Sequence, residues 1–145
     1  MPTLTLRVIT PDKIALDTQV ASVIVPGADG KLGILPRHAP MIAALDTGLL
    51  AYHKEGESLD APHHVLFVSG GFAEVRGETV RVVTEAGEKP TEIDETRARE
   101  AEKRARDRLA EVRGAAQGDP IDLVRAEAAL RRALMRLRAT EYRGG

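Results

Sequence analysis

Apolar and polar residues alternate along Leu4-Thr-Leu-Arg-Val-Ile9 before the chain meets Pro11-Asp12. That two-residue period belongs to a strand with one face buried. Val20-Ala-Ser-Val-Ile-Val25 ends at Pro26-Gly27, with a turn expected at Ala28-Asp-Gly30. Further strands are expected at Gly48 to Tyr52, His64 to Ser69, Phe72 to Arg76 and Thr79 to Thr84, with turns at Gly70-Gly71 and Gly77-Glu78. So many short strands within about 85 residues predict an antiparallel β-sandwich or flattened barrel over residues 1–87.

Near residue 88 the period changes to that of helices, and residues 88–145 become rich in Ala, Glu and Arg. Thr91 is the expected N-cap of a first helix, with Asp94 completing a capping box; the helix should run to Arg113 and stop at Gly114. Asp119 should cap a second helix, with Pro120 at its first position, reaching Tyr142. Each helix is about 30 Å long, and the short loop makes them an antiparallel hairpin. The fold class is therefore α+β, a β domain followed by a helical hairpin. Leu123, Leu130, Leu134 and Leu137, with Ala126 and Ala133, form the expected seam against Ala98, Ala101, Ala105 and Leu109. Burial of four Leu side chains contributes about 6–12 kcal/mol gross, which the entropy of ordering the hairpin largely cancels. A hairpin so balanced is suited to switching.

Composition narrows the function. The formal net charge of the 145 residues is −1, which argues against nucleic acid or anionic lipid as a dominant partner. No apolar run reaches 18 residues and the start lacks the pattern of a signal peptide, so membrane attachment is expected only through a partner. With no cysteine there is no disulfide or thiolate chemistry, and a cytosolic setting fits. The four histidines, His38, His53, His63 and His64, raise the alternative of a hydrolase or metalloenzyme. His63 and His64 are adjacent and should face opposite sides of a strand, and there is no H-x-x-x-H pair, G-x-S-x-G elbow or P-loop. No catalytic residue and no metal ligand is assigned.

Gly30-Lys-Leu-Gly-Ile-Leu-Pro-Arg-His-Ala-Pro40 carries two prolines and a histidine among its glycines, which specifies a shaped loop rather than generic strand. It continues as Met41-Ile-Ala-Ala-Leu-Asp-Thr-Gly48, and Val68-Ser-Gly-Gly-Phe-Ala-Glu-Val75 follows. These stretches resemble the two signatures of the epsilon subunit family of bacterial F-type ATP synthases, and the order of β domain and helical hairpin resembles that family over essentially the whole chain. The resemblance implies a non-catalytic rotor subunit of the central stalk, at the cytoplasmic face of the bacterial plasma membrane. It implies contacts with the gamma subunit and the c-ring, the latter through positions matching Lys31, Arg37, His38 and Ala39. Lys31 stands where the family often has an acidic residue.

The tail repeats a short pattern, Ile93-Asp-Glu-Thr-Arg-Ala98 and Ile121-Asp-Leu-Val-Arg-Ala126, each opening a helix. Asp94, Arg97 and Arg104 fall on one helix face, and folding the hairpin about a loop centred near 116–117 sets Arg97 opposite Arg136 and Arg104 near Arg132. Guanidinium groups gathered in this way repel one another, and a polyphosphate would relieve them through charge-assisted hydrogen bonds. Some members of the family bind ATP in the folded hairpin through an I-D-x-x-R-A motif. The resemblance places that site here at Glu88, Ile93, Asp94, Arg97, Ala98, Arg104, Arg132 and Arg136, with ATP a regulatory ligand and no cofactor required. The bland alternative is a solvated face laced with Glu100–Arg104, Glu102–Arg106 and Glu127–Arg131 pairs. A tail extended along the gamma subunit would carry its basic second helix (Arg125, Arg131, Arg132, Arg136, Arg138, Arg143) among the catalytic alpha and beta subunits and block ATP hydrolysis. A free-standing nucleotide-sensing module is the alternative function, and it would bind ATP without associating with a gamma subunit.

Overall fold

A computed structural model describes residues 2–61, 63–115 and 118–142; Arg143 and the expected loop centre at 116–117 lie outside the described residues. Nine strands are present among them: β1 (Leu4–Ile9), β2 (Ile14–Gly27), β3 (Gly30–Ile34), β4 (Met41–Ala44), β5 (Thr47–Lys54), β6 (His64–Ser69), β7 (Phe72–Arg76), β8 (Thr79–Val83) and β9 (Gly87–Glu88). They follow the order β4-β7-β8-β1-β2-β5-β6-β9, with β3 added to β2. All pairings are antiparallel except β1 with β8. Alternation along β1 puts Leu4, Leu6 and Val8 in a core shared with Val20, Val23 and Val25 of β2 and with Leu50, Leu66, Val68, Val75, Val80 and Val82.

Strand β2 is much longer than its apolar centre predicts. Its first half pairs with β1, and its second half pairs with β5 and β3. The polar residues Asp17, Thr18 and Gln19 stay in the strand because β1 offers a partner for their backbone. Part of the expected loop is also strand. Gly27 pairs with Gly30 across a two-residue turn, and Pro26 and Val25 then face Lys31 and Leu32. A turn this short zips the following residues onto β2, whatever their glycine content. The shaped loop begins only at Leu35, and Arg37 there has φ 69°, a left-handed conformation uncommon outside glycine.

Helices α1 (Glu95–Gly114) and α2 (Pro120–Thr140) form the tail. Asp119 caps α2 by accepting from the Ile121 amide, with Pro120 at the first position. The start of α1 differs from the expectation at Thr91. Thr91 lies in a single 3-10 turn, Pro90–Glu92, while Asp94 is the cap and accepts from the Arg97 amide at 3.1 Å. The two are separated by Ile93, whose extended backbone lets its side chain pack with Phe67 in a small second core.

The helix seam is built from alanines. Ala98, Ala105, Ala126 and Ala133 are buried with Leu109, while Leu123, Leu130, Leu134 and Leu137 are only half-buried. Close approach at the small residues pushes the leucines to the flanks, so the gross gain is below the expected value and the hairpin depends on what lies beneath it. That support comes from α2, whose Met135 and Ala139 pack with Phe67, Leu49, Ala86 and Ile93. Replacing Ala133, 1% exposed, by Leu should part the helices at a cost of about 1–3 kcal/mol. Helical circular dichroism should then melt earlier, with the sandwich amide signals unchanged.

Candidate functional site

The tail residues singled out in sequence converge where α1, α2 and β9 meet. A cleft of about 470 Å³ is lined by Glu88, Ile93, Asp94, Arg97, Ala98, Ala101, Arg104, Ala133 and Arg136, together with Glu92. The N-cap turn at Asp94 presents Arg97 and Ala98 on the inner face of α1, and the buried alanines form the floor. Arg132 lies outside this cleft. It lines an adjoining groove of about 520 Å³ along the seam, where Arg104 and Arg136 also take part, with Arg108, Arg125 and Asp122.

Arg136 is not one of four uncompensated guanidinium groups, as the sequence suggested. Its Nε and one terminal nitrogen donate to the two carboxylate oxygens of Glu88, both at 3.0 Å. Its guanidinium also lies 4.6 Å from the centre of the Phe67 ring, a cation–π geometry. Glu88 belongs to the two-residue strand β9, paired with Phe67 and Val68. The adjacent strands β6 and β9 thus deliver the two groups that hold Arg136. By contrast, the Arg97, Arg104 and Arg132 side chains make no hydrogen bond or ion pair among the described residues.

Glu92 was not anticipated as a cleft residue. Burial opposes its ionisation, but hydrogen bonds from Lys13 Nζ and the Lys89 amide, with the charges of both lysines, outweigh burial and hold its carboxyl below the ordinary range. It brings β-domain charge to the rim through Lys13, a connection across 79 residues that no local pattern signals.

The bland pairs are realised only in part. Arg106 donates to Glu102, but Glu127 lies 3.7 Å from Arg113 and Arg131 turns to Asp46. Cross-helix and cross-domain partners replace the expected partners one turn away on the same helix. Arg104 remains unpaired although Glu100 is one turn away.

The other predicted positions do not line this cleft. Lys31 is exposed on β3 opposite Pro26, whereas Arg37, His38 and Ala39 follow β3 at its other end. The His38 Nδ1–H donates to the Ala39 carbonyl at 2.7 Å, which braces the loop around Arg37. His53 is buried; its Nε2–H donates to the Ala61 carbonyl, and its Nδ1 sits 3.2 Å from the Ser22 hydroxyl. Among the described residues no carboxylate orients this Ser–His pair, which is a triad without its third member. His63 lies against His53, with ring centres 4.0 Å apart, and burial, then the neighbouring His53, lowers its pKa. His64 instead reaches Glu57 and stacks on Tyr52. Among the described residues no group of three or more His, Asp or Glu side chains is arranged to hold a metal ion.

A β-sandwich that carries mixed-charge clefts on a docked helical hairpin has the architecture of a binding and coupling protein. The comparisons agree. Residues 3–90 match the beta-sandwich domain of the ATP synthase delta/epsilon chain, and residues 91–141 match its long alpha-helix domain. The ATP synthase epsilon chain of Nitratidesulfovibrio vulgaris is 46% identical over 133 residues, covering 92% of each chain. That of Halalkalibacterium halodurans is 44% identical over 137 residues, 94% of this chain and 96% of the other. The fold also resembles a chain of the Euglena gracilis mitochondrial ATP synthase, with a TM-score of 0.76 at 24% identity over 98% of this chain and 83% of that one.

The chain belongs to the ATP synthase delta/epsilon chain family. It is accordingly a non-catalytic subunit of the ATP synthase, in the central stalk.

Glu88→Ala should leave Arg136 without its carboxylate and weaken docking of the hairpin by about 1 kcal/mol. Helical signal should be lost at lower denaturant concentration, with the sandwich transition unmoved.

Proposed function

We propose that the chain is a rotor subunit whose tail senses ATP and restrains ATP hydrolysis. In this reading the β domain binds the gamma subunit and rests on the c-ring, at the cytoplasmic face of a bacterial plasma membrane. The exposed Lys31 and the braced Arg37-His38-Ala39 loop are its c-ring contacts. The observation that carries the nucleotide reading is the cleft between α1 and α2, which sets the unpaired Arg97 and Arg104 beside Glu88 and Asp94 and continues into the groove that holds the unpaired Arg132. Arginines of this kind suit the phosphates, through bidentate charge-assisted bonds. Carboxylates beside an Ile93–Ala98 wall suit a sugar and base.

The site exists only when both helices are folded together, since Arg97 and Arg104 come from α1 and Arg132 and Arg136 from α2. ATP therefore favours the docked hairpin by its differential affinity for the two states. When released, α2 would carry Arg125, Arg131, Arg132, Arg136 and Arg138 toward the catalytic ring. Membership of the synthase family favours this over a free-standing nucleotide sensor.

Calorimetric titration of ATP into the isolated chain should show one saturable site that the Arg97→Ala, Arg104→Ala double variant loses. Absence of heat up to millimolar ATP would remove the sensing role and leave the stalk role intact. Truncation after Glu88, which keeps strand β9, should permit assembly with the gamma subunit while raising ATPase activity of the complex several-fold; unchanged activity would exclude restraint by the tail.

A further inference from the structure

On the opposite edge of α2 from the nucleotide cleft lies a second attachment that the proposed function does not use. Arg131 donates from Nε to the Thr47 carbonyl at 3.0 Å, and its Nη2 lies 3.2 Å from Asp46 Oδ2. The acceptors sit on a rigid corner. Asp46 Oδ1 accepts from the Thr47 amide at 2.9 Å, the Asp46 amide donates to the Pro26 carbonyl, and the Leu45 amide donates to the Gly71 carbonyl. One carboxylate oxygen is thus held by the backbone, which leaves the other beside the Thr47 carbonyl, and Arg131 reaches both. A planar guanidinium with two parallel N–H groups matches that pair of acceptors, and an ammonium does not.

We infer that Asp46 and Thr47 form a built guanidinium receptor on the β domain, and that Arg131 is the latch that seats the hairpin in it without any nucleotide. At 100° per residue Arg131 and Arg136 project about 140° apart around α2. They strap the helix down on both flanks of Met135 and Ala139, which rest on the Phe67 cluster. Arg136 is committed to Glu88 inside the nucleotide cleft, so its strap is coupled to whatever binds there. Arg131 touches none of that cleft, and its latch sets how much hairpin is docked before ATP arrives. The Arg131 and Asp46 side chains are 52% and 47% exposed, so salt screens this latch more than the Arg136–Glu88 strap at 30% and 27%. Lys31 and Arg138 line the same cavity as Asp46 and Arg131, but among the described residues Asp46 is ion-paired with Arg131 alone, so the latch opens by release of one side chain.

The test is amide hydrogen exchange on the full chain, with no nucleotide present, for Asp46→Asn, Arg131→Gln and the double variant. Asp46→Asn keeps an oxygen for the Thr47 amide, so the corner persists. Each single change should speed exchange across α1 and α2 about two- to fivefold, the range of an exposed ion pair. The double should be no faster than the faster single, and half-molar salt should accelerate only the parent chain. Amides of β1 and β6 should be unchanged. Exchange in α1 and α2 that is unmoved by Arg131→Gln, or a double variant whose effects multiply, would overturn the latch. Should Asp46→Asn also disturb the sandwich amides, Arg131→Gln, which leaves the corner untouched, decides the matter. Because nucleotide is absent throughout, the result is independent of whether the cleft binds ATP.

Discussion

The Arg136 guanidinium, held between the Glu88 carboxylate and the Phe67 ring, is the contact on which the two parts of the molecule depend. Phe67 is a core residue of β6, Glu88 closes the sheet as part of β9, and Arg136 comes from the last helix. Burying a large ring beneath a cation and pairing that cation with a carboxylate on the adjacent strand compensates the partial desolvation of the charge. Met135, Ala139 and Ile93 exclude water from the same spot. The seating of α1 depends on this region too, because the hairpin reaches the sandwich through α2 and the 3-10 turn before α1.

The energetics are those of a reversible attachment. The sandwich has a continuous core of fully buried Leu, Val and Ile side chains drawn from most of its strands. The hairpin seam has alanines, which allow close approach but remove little apolar area from water. Most of the charged groups on the tail are exposed and their pairs are individually weak. A strong body and a weakly seated tail give two states separated by a small free energy, the condition under which a ligand of modest differential affinity shifts the population. This is the physical basis of the regulation proposed for the tail.

Docking also decides which cations are available. Glu88 takes Arg136, Asp46 takes Arg131, and Glu102 takes Arg106. Arg97 and Arg104 are left beside a cleft whose other wall is acidic, and Arg132 in the groove that adjoins it. Glu92, tied to Lys13 of the sandwich, makes the rim of that cleft sensitive to how the β domain and tail are seated.

The sequence by itself determined the elements and their class. Period-two alternation, glycine turns at Gly70-Gly71 and Gly77, and the Asp119-Pro120 start are local signals, each set by backbone sterics or a hydrogen bond a few residues away. The family was legible for the same reason, since shaped loops need particular residues in order. Only the tertiary structure decided what depends on distant partners. Ile14 to Gln19 became strand because β1 lies alongside. Thr91 lost the cap to Asp94 because Ile93 was drawn onto Phe67. Four leucines yielded the seam to alanines because closeness of approach, not side-chain hydrophobicity, sets which positions are covered. The candidate residues of the tail were visible as a basic helical face. Which of them are neutralised and which are free was not, because the neutralising carboxylates of Asp46 and Glu88 lie 85 and 48 positions away from their arginines, and only packing brings such groups within hydrogen-bond reach.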